Sequence, residues 1–532
     1  MATTAELLRE GKTQDLWQRC CGFVDLKMEQ FMSIQRELLL EQIELLNRCE
    51  LGNKVMRGAK PHSVEEFREQ VPITTYVNYA PYLLEKREDV LPEKPMLWQR
   101  TSGRSGEYPC KWVPVTRRMY DELGDAILGI FILATAKDRG DVIIEDHDKL
   151  LYGAAPPPYA SGSYFRRLAE MGVFDILPPL EEAEEMGFEE RIQKGFKMGL
   201  SEGMDVMFAI SSVLVAIGER FGQGGGLKRA ASMLTEPKIL PNLLKAVLKS
   251  KLAGRPLLPR DIWSIKGLIA GGADNEIYRE KIKHLWGRYP LDVYGGTEPF
   301  LIAMQTWDYE AMTFLPHINF LEFMPEMERQ QWVSEPMYQP NLLLLDEVQE
   351  GESYALVITN FRGGAFMRYF LGDVVKISSL RNKKVNIDIP QMVFDSRIDG
   401  IIDISGFTRL TEKTVWQALE NSGLAYQDWS VRKEAGEKPL LHLYIEPTEN
   451  ARITDDEATT VIHEQLKILD SDYAALETML GLKPLKVTVL PVGTFQAYVS
   501  KQRAAGADLA HLKPPHVNPS EAAIDKLLTP VP

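Results

Sequence analysis

The sequence predicts an α/β protein: a large N-terminal part with mixed or parallel sheets and helices, and a smaller α+β part at the C-terminal end. Three observations lead there. Strand-like and helical runs alternate from about Trp98 to Asp395, the pattern of a parallel α/β sheet. Glycine turns close several of those strand-like runs, where open α/β sheets bind their ligands. Near residue 395 the charged stretch Asp395-Ser-Arg397-Ile-Asp399-Gly400 breaks the alternation, and shorter mixed elements follow. A boundary there divides the chain into residues 1–396 and 397–532, and 532 residues exceed what one compact core holds.

Each element has its own signal. The first 90 residues are helical in pattern, with apolar residues three and four apart from Phe31 to Leu46. Ser63-Val-Glu-Glu is a capping box opening a helix that ends before Pro72. Both are scaffold. Val206 to Gly218, bracketed by Asp205 and Glu219, reads as a buried helix, too short for the roughly 20 residues a bilayer span needs. Ile265 to Ala270 is a strand ending in Gly271-Gly272-Ala273-Asp274, followed by a helix from Asn275 to Trp286. The next strand, from Leu291, terminates in Gly295-Gly296-Thr297-Glu298. Beyond the boundary come helices at Glu412–Ser422 and Asp455–Leu469 and strands near Leu440–Ile445 and Val487–Leu490. No internal repeat is visible.

Composition excludes several classes. With 45% hydrophobic and 26% charged residues the chain is globular, and a net charge of −14 argues against a general nucleic-acid binder. The four cysteines, Cys20, Cys21, Cys49 and Cys110, match neither a zinc site nor a disulfide framework and suit a reducing compartment. The N-terminus lacks the basic and apolar regions of a signal peptide. The expectation is a cytoplasmic protein, monomeric, with small-molecule partners and neither nucleic acid nor membrane among them.

The most informative stretch is Thr101-Ser-Gly-Arg-Ser-Gly-Glu-Tyr-Pro-Cys-Lys111. Gly103 and Gly106 permit tight turns that bare amide N–H groups; Thr101, Ser102 and Ser105 add hydroxyls; Arg104 and Lys111 add charge. Amide dipoles and cations converging in this way suit a polyphosphate. It is not the Walker pattern, because Pro109 blocks the helix that pattern requires. The alternative is a polar loop joining two strands. Glu298 suits a hard divalent cation and Thr297 a phosphate, against the alternative of a plain turn. Arg368-Tyr-Phe-Leu-Gly372-Asp373 closes another strand-like run with a carboxylate suited to a ribose diol. Arg397 suits a phosphate contact or a hinge; a solvated linker arginine is the alternative.

In their order, these motifs resemble the adenylate-forming superfamily that includes firefly luciferase and acyl-CoA ligases. More narrowly, the chain resembles the auxin-responsive Gretchen Hagen family of acyl acid amido synthetases. The superfamily's phosphate loop, Gly-Gly-Ala turn, Tyr-Gly-x-Thr-Glu, Gly-Asp and Arg-x-Asp are matched by Thr101–Lys111, Gly271–Asp274, Tyr294–Glu298, Gly372-Asp373 and Arg397–Asp399. The narrower family is carried by Val71-Pro-Ile-Thr-Thr-Tyr76, Arg368 to Val375, Gly493-Thr-Phe495 and Lys513-Pro-Pro. The likeness runs from about Gln35 to Pro515. Three positions depart from it: Arg104 and Glu107 in the loop, and Lys513-Pro-Pro-His516, where the family commonly reads Lys-x-Pro-Arg.

The resemblance implies a large adenylating domain and a small mobile C-terminal one, working with ATP and Mg2+. A carboxylate attacks the α-phosphate of ATP to give an acyl-adenylate and pyrophosphate, and an amine, typically an amino acid, then displaces AMP. Catalysis falls to Lys111, Glu298 and Lys513, with Glu298 also holding the metal. The nucleotide falls to Thr101, Ser102, Gly103, Arg104, Ser105, Gly106, Gly271, Gly272, Ala273, Tyr294, Gly295, Gly296, Thr297, Asp373 and Arg397. The acid pocket is expected at a helix Met204–Ala216 and the loop Ala154–Gly162. Two other readings stay open: an acyl-CoA ligase sharing the adenylation step, and a nucleotide-binding relative without catalysis.

Overall fold

A computed structural model describes residues 2–101, 110–222, 240–271, 275–335, 338–397, 401–404, 408–434, 440–480, 483–504, 514, 516–519 and 521–529. The chain separates into two compact units, one comprising residues 1–101, 111–371 and 375–394, the other residues 102–110, 372–374 and 395–532. No helix among the described residues is long and apolar enough to cross a membrane.

The larger unit is organised by an eleven-stranded sheet. In spatial order its strands are Asn319–Pro325, Ser353–Asn360, Tyr369–Ser379, Gln391–Arg397, Met312–Phe314, Phe300–Gln305, Leu291–Gly296, Gly267–Gly271, Val206–Ile210, Asp148–Gly153 and Phe174–Leu177. The last five pair in parallel, each crossover carrying a helix. From Leu291–Gly296 toward Phe300–Gln305, Met312–Phe314 and Gln391–Arg397 the pairing turns antiparallel. The sheet is therefore mixed: the alternation of strands and helices describes its parallel half, and antiparallel pairings enter beyond it.

The apolar window from Val206 to Gly218 is not one helix. Val206–Ile210 is a strand between two parallel neighbours, and the helix begins at Ser211 and runs to Gly222. A continuous apolar run has no period by which a buried strand differs from a buried helix, so pattern alone cannot separate them. Met204, Met207, Leu214 and Val215 pack with Trp263, Leu268 and Trp286 in one core cluster. Phe208 meets Phe165 edge-on at 5.7 Å. The window thus supplies side chains to the core.

Elsewhere the pattern and the structure agree closely. The long N-terminal helix spans Met28–Arg48, and two of its glutamines are buried clamps. Gln35 accepts from the Leu321 N–H and donates to the Asn319 carbonyl, at 2.9 and 2.8 Å. Gln42 does the same for Gly363 and Gly364. Ser63 caps the helix Val64–Gln70, although Glu66 returns to the N–H of His62 rather than to Ser63. The helix Asn275–Trp286 lies where the sequence places it.

In the smaller unit, Tyr426–Glu434 pairs antiparallel with Leu440–Pro447, which pairs in parallel with Leu485–Val489. Helices span Glu412–Asn421, Asp455–Leu469, Ser471–Leu480, Thr494–Ala504 and Glu521–Leu528. Gly493-Thr-Phe495 has a direct structural reason. The buried Glu446 carboxylate accepts from the Gly493 and Phe495 N–H groups, each at 2.7 Å, and so caps the helix that starts there. A carboxylate at a helix N-terminus satisfies donors that the helix itself cannot.

Candidate functional site

Strands Pro95–Arg100 and Trp112–Thr116 form an antiparallel hairpin, and Thr101 to Lys111 is its connection. Its two ends are pinched together: the Thr101 N–H donates to the Lys111 carbonyl at 2.9 Å, and the Lys111 N–H donates to Thr101 Oγ1 at 3.0 Å. Residues 102–109 lie outside the described residues, so Ser102, Gly103, Arg104, Ser105 and Gly106 have no structural account. The loop does join two strands. That position is equally required for a phosphate loop, which must be anchored at both ends.

From the pinch, Lys111 reaches across the unit. Its Nζ lies 3.0 Å from Glu298 Oε1 and 3.1 Å from the Tyr369 hydroxyl. Tyr369 in turn donates to Glu298 Oε1 at 3.3 Å. Glu298 sits at the tip of the hairpin between Leu291–Gly296 and Phe300–Gln305, yet its residue is only 9% exposed. Its carbonyl accepts from the Asn360 amide at 3.1 Å, and Asn360 also donates to Asn319 at 2.8 Å. The turn is therefore buttressed from beneath by a buried amide pair. Gly295 is obligatory in it, because a Cβ there would overlap the Phe300 carbonyl oxygen.

Tyr369 is held by the strand-like segment that the family-type stretch Val71–Tyr76 provides. Thr74 bridges Tyr369 in parallel: the Thr74 N–H donates to the Arg368 carbonyl, and the Phe370 N–H to the Thr74 carbonyl, both at 2.9 Å. Burial, reinforced by the Glu298 charge, pushes the Tyr369 phenol far above its ordinary value, so it remains a hydrogen-bond donor. The Tyr76 and Tyr369 rings stand 5.6 and 5.8 Å from Lys111 Nζ, so two π faces also flank the ammonium. Arg368 points the other way: its guanidinium forms a buried two-pronged pair with Glu322, both contacts at 3.0 Å. It belongs to the framework.

The remaining expected residues fall as follows. Gly271 ends the strand Gly267–Gly271, whose parallel neighbour is Leu291–Gly296. Gly272, Ala273 and Asp274 lie outside the described residues. Tyr294 is buried, packing at 5.7 Å on Phe394, while Gly295 and Gly296 are exposed and Thr297 is half-buried. Tyr294 to Glu298 does not hand over to a helix, as a parallel strand would. It turns straight back as a hairpin. Asp373 does not close a strand-like run either, because the strand Tyr369–Ser379 continues through it. Gly372 takes a φ of 78°, and the apolar alternation at Val375 and Ile377 carries the ladder on. Arg397 ends the strand Gln391–Arg397 and its side chain is not described; Asp399 and Lys513 lie outside the described residues.

The loop from Ala154 to Gly162 lies beside the same hairpin. The Arg100 N–H donates to the Pro158 carbonyl at 2.9 Å, and its guanidinium to the Tyr159 hydroxyl at 2.7 Å. Gly162 allows the helix Ala160–Met171 to start against the prolines, since a Cβ would overlap the Pro157 nitrogen.

Sequence reasoning missed Tyr369, Tyr76 and Asn360. The only signal available was adjacency, since Tyr369 follows Arg368 and Tyr76 closes the Val71 stretch. Chemically, the cluster is a carboxylate and an ammonium sharing one oxygen, with a phenol on both. One carboxylate suits magnesium, which keeps waters and takes the rest of its shell from substrate phosphates. It does not suit an all-protein cage. Among the described residues, the one grouping of three potential ligands is His463, Glu464 and Glu477, where Lys467 bonds both glutamates at 3.1 and 3.0 Å.

Sequence models of the GH3 family N-terminal, central and C-terminal domains match residues 21–142, 312–397 and 411–522. A jasmonoyl–L-amino acid synthetase of Oryza sativa subsp. japonica, GH3.5, is 27% identical over 286 residues, 50% of this chain and 47% of that protein. The chain thus spans about half the length of the curated relatives it matches. Among solved structures, the AtGH3.15 acyl acid amido synthetase in complex with 2,4-DB superimposes with a TM-score of 0.65 at 16% identity, covering 99% of this chain and 96% of that one. A 2-hydroxyisobutyryl-CoA ligase in its postadenylation state gives 0.60 at 15% identity, covering 94% and 92%. At such identities these likenesses show the fold alone.

Proposed function

Since this chain belongs to the GH3 family, we propose that it is an ATP-dependent acyl acid amido synthetase. It adenylates a carboxylic acid with release of pyrophosphate, then passes the acyl group to the amine of an amino acid with release of AMP. The observation that carries this reading is the meeting of Lys111 and Glu298, 187 positions apart, beside the anchored ends of the Thr101–Lys111 loop. The family relationship supplies the class of reaction, since curated relatives are named as jasmonoyl–amino acid and indole-3-acetic acid-amido synthetases and a 4-substituted benzoates-glutamate ligase.

In this reading residues 1–396 bind ATP and the acid, and residues 397–532 form a mobile domain turning about Arg397–Asp399 between the two steps. Two anions must approach each other in adenylation. Thr101, Ser102, Gly103, Arg104, Ser105 and Gly106 wrap the phosphates with amides, hydroxyls and one cation. Lys111 delivers a second charge to the phosphate that is attacked. Gly271, Gly272, Ala273, Tyr294, Gly295 and Gly296 line the adenine, Thr297 touches a phosphate, Asp373 receives the ribose diol, and Arg397 neutralises phosphate charge. Glu298 would hold magnesium, which supplies charge neutralisation on the polyphosphate. Lys513 approaches the reacting carboxylate. Tyr369 keeps Lys111 and Glu298 aligned before nucleotide arrives. The reaction runs in the cytosol in a monomer; the four cysteines, all without disulfide partners, suit that compartment.

The acceptor distinguishes the amide reading from a thioester one. Incubation with ATP, magnesium, a panel of jasmonate-like, indole and benzoate acids, and either amino acids or coenzyme A is followed by mass spectrometry. The expected product is an N-acyl amino acid stable to hydroxylamine. A thioester formed only with coenzyme A, and discharged by hydroxylamine, would replace this reading with an acyl-CoA ligase.

A further inference from the structure

Among the described residues, three uncharged side chains have buried polar atoms and make no hydrogen bond at all: Gln99, Tyr152 and Tyr164. Gln99 and Tyr152 are 0% exposed, and both polar atoms of the Gln99 amide lack a partner. Buried polar groups in folded proteins are almost always paired, because an unmade hydrogen bond keeps the full cost of leaving water. Three such groups on segments that meet at one loop call for a common cause.

That loop is Ala154–Gly162. The strand Asp148–Gly153 runs into it and carries Tyr152, and the helix Ala160–Met171 runs out of it and carries Tyr164. The Tyr152 ring packs on Phe165, the chain neighbour of Tyr164, with centroids 4.4 Å apart. Gln99 belongs to the strand Pro95–Arg100, opposite Val113, which has no polar side-chain atom to offer it. The next residue, Arg100, bridges Tyr159 and donates from its N–H to the Pro158 carbonyl, so this strand borders the loop. Two residues after Gln99, about 7 Å along the strand, comes Thr101, pinched to Lys111.

The set is neutral. Gln99 offers one acceptor and two donors, and each phenol gives one hydrogen bond and accepts others. Burial pushes the Tyr152 phenol up to about 12 and raises the Tyr164 phenol as well, so both keep their protons at neutral pH. The nearest cation, Arg191, stands 4.9 Å over the Tyr152 ring and donates to the Ala154 carbonyl at 2.7 Å. Such groups suit hydroxyl, carbonyl or N–H partners rather than a second anion.

We propose that Gln99, Tyr152 and Tyr164 are specificity-determining residues for the carboxylic acid, and that this acid carries neutral hydrogen-bonding groups on its body besides the carboxylate that reacts. This rests on the adenylation reading given above. The free protein holds the three groups unpaired, and the correct acid pairs them. A site built to hydrogen-bond a substrate group rejects the analogue lacking it far more strongly than an apolar pocket rejects a missing methylene.

The test compares native protein with Gln99→Leu, Tyr152→Phe and Tyr164→Phe, which nearly keep the shape and remove the polar atoms. The thermal midpoint without ligand is measured first. Acid-dependent ATP–pyrophosphate exchange then follows with paired acids: 4-hydroxybenzoate and benzoate, indole-3-acetate and 1-naphthaleneacetate, ω-hydroxydodecanoate and dodecanoate. The variants should melt at or above the native midpoint, since each sheds an unpaired group. Native protein should favour the polar member of at least one pair by about 100-fold or more in kcat/KM, and Gln99→Leu should cut that preference roughly tenfold or more. Equal use of both members of every pair would overturn the proposal. So would a lower midpoint with unchanged preference in Gln99→Leu, the behaviour of an amide that a buried water satisfies. If no acid drives exchange, the adenylation reading fails. The three residues keep their role if the polar acids still raise the native midpoint and Gln99→Leu abolishes that rise, and lose it otherwise.

Discussion

Lys111 Nζ and the Tyr369 hydroxyl converge on one oxygen of Glu298, and that crowding defines what the site must do. In the function proposed above, nucleotide binding would draw Lys111 toward the phosphates and free Glu298 for the metal. Glu298→Ala should abolish magnesium-dependent adenylation, lowering exchange by roughly two orders of magnitude or more, the scale seen when a preorganised electrostatic partner is removed. Far-ultraviolet circular dichroism and the thermal midpoint should stay close to native, because the turn is buttressed through the Glu298 carbonyl rather than its side chain. Native exchange in that variant would remove the metal assignment. Lys111 and Glu298 were legible in sequence because residue type and motif order single them out. Tyr369 and Tyr76 were not, because a tyrosine in an apolar strand reads as core until the Thr74–Tyr369 bridge shows what its hydroxyl faces.

At the scale of elements, the buried pair of Arg368 and Glu322 joins the start of the Tyr369–Ser379 strand to the Asn319–Pro325 strand. Arg368 also donates to the Arg68 and Val71 carbonyls, so a single guanidinium ties the Val71–Tyr76 segment to the sheet. Arg368→Met should destabilise the protein by about 3–5 kcal/mol, because it leaves Glu322 as a buried charge without its closest partner. Urea unfolding measures this; a loss below about 1 kcal/mol would show that Arg68, 3.3 Å from Glu322, suffices alone. Elements with a clear period were legible: the helices Asn275–Trp286 and Asp455–Leu469 begin and end where apolar spacing and caps put them. Val206–Ile210 was not, since a strand buried on both faces carries no alternation. Nor was the hairpin at Glu298, because a glycine pair ends a parallel strand and turns a hairpin equally well.

At the scale of the whole molecule, an overall charge of −14 coexists with a site proposed to take the phosphates of ATP. The positive charge beside Glu298 is local: Lys111 in its tyrosine-flanked position. In the sequence, alternation stops near residue 395; the compact units are discontinuous, with one change-over at residues 394–395. Sequence order alone does not show that residues 372–374 group with the later residues, since that assignment depends on contacts made in three dimensions. The central claim is that this chain activates carboxylic acids as adenylates. Acid-dependent ATP–pyrophosphate exchange with magnesium, across jasmonate-like, indole, benzoate and fatty acids, tests it most directly. The account predicts exchange with at least one acid and none without acid or without metal. Tight ATP binding with no exchange for any acid would contradict it, leaving a nucleotide-binding relative without catalysis.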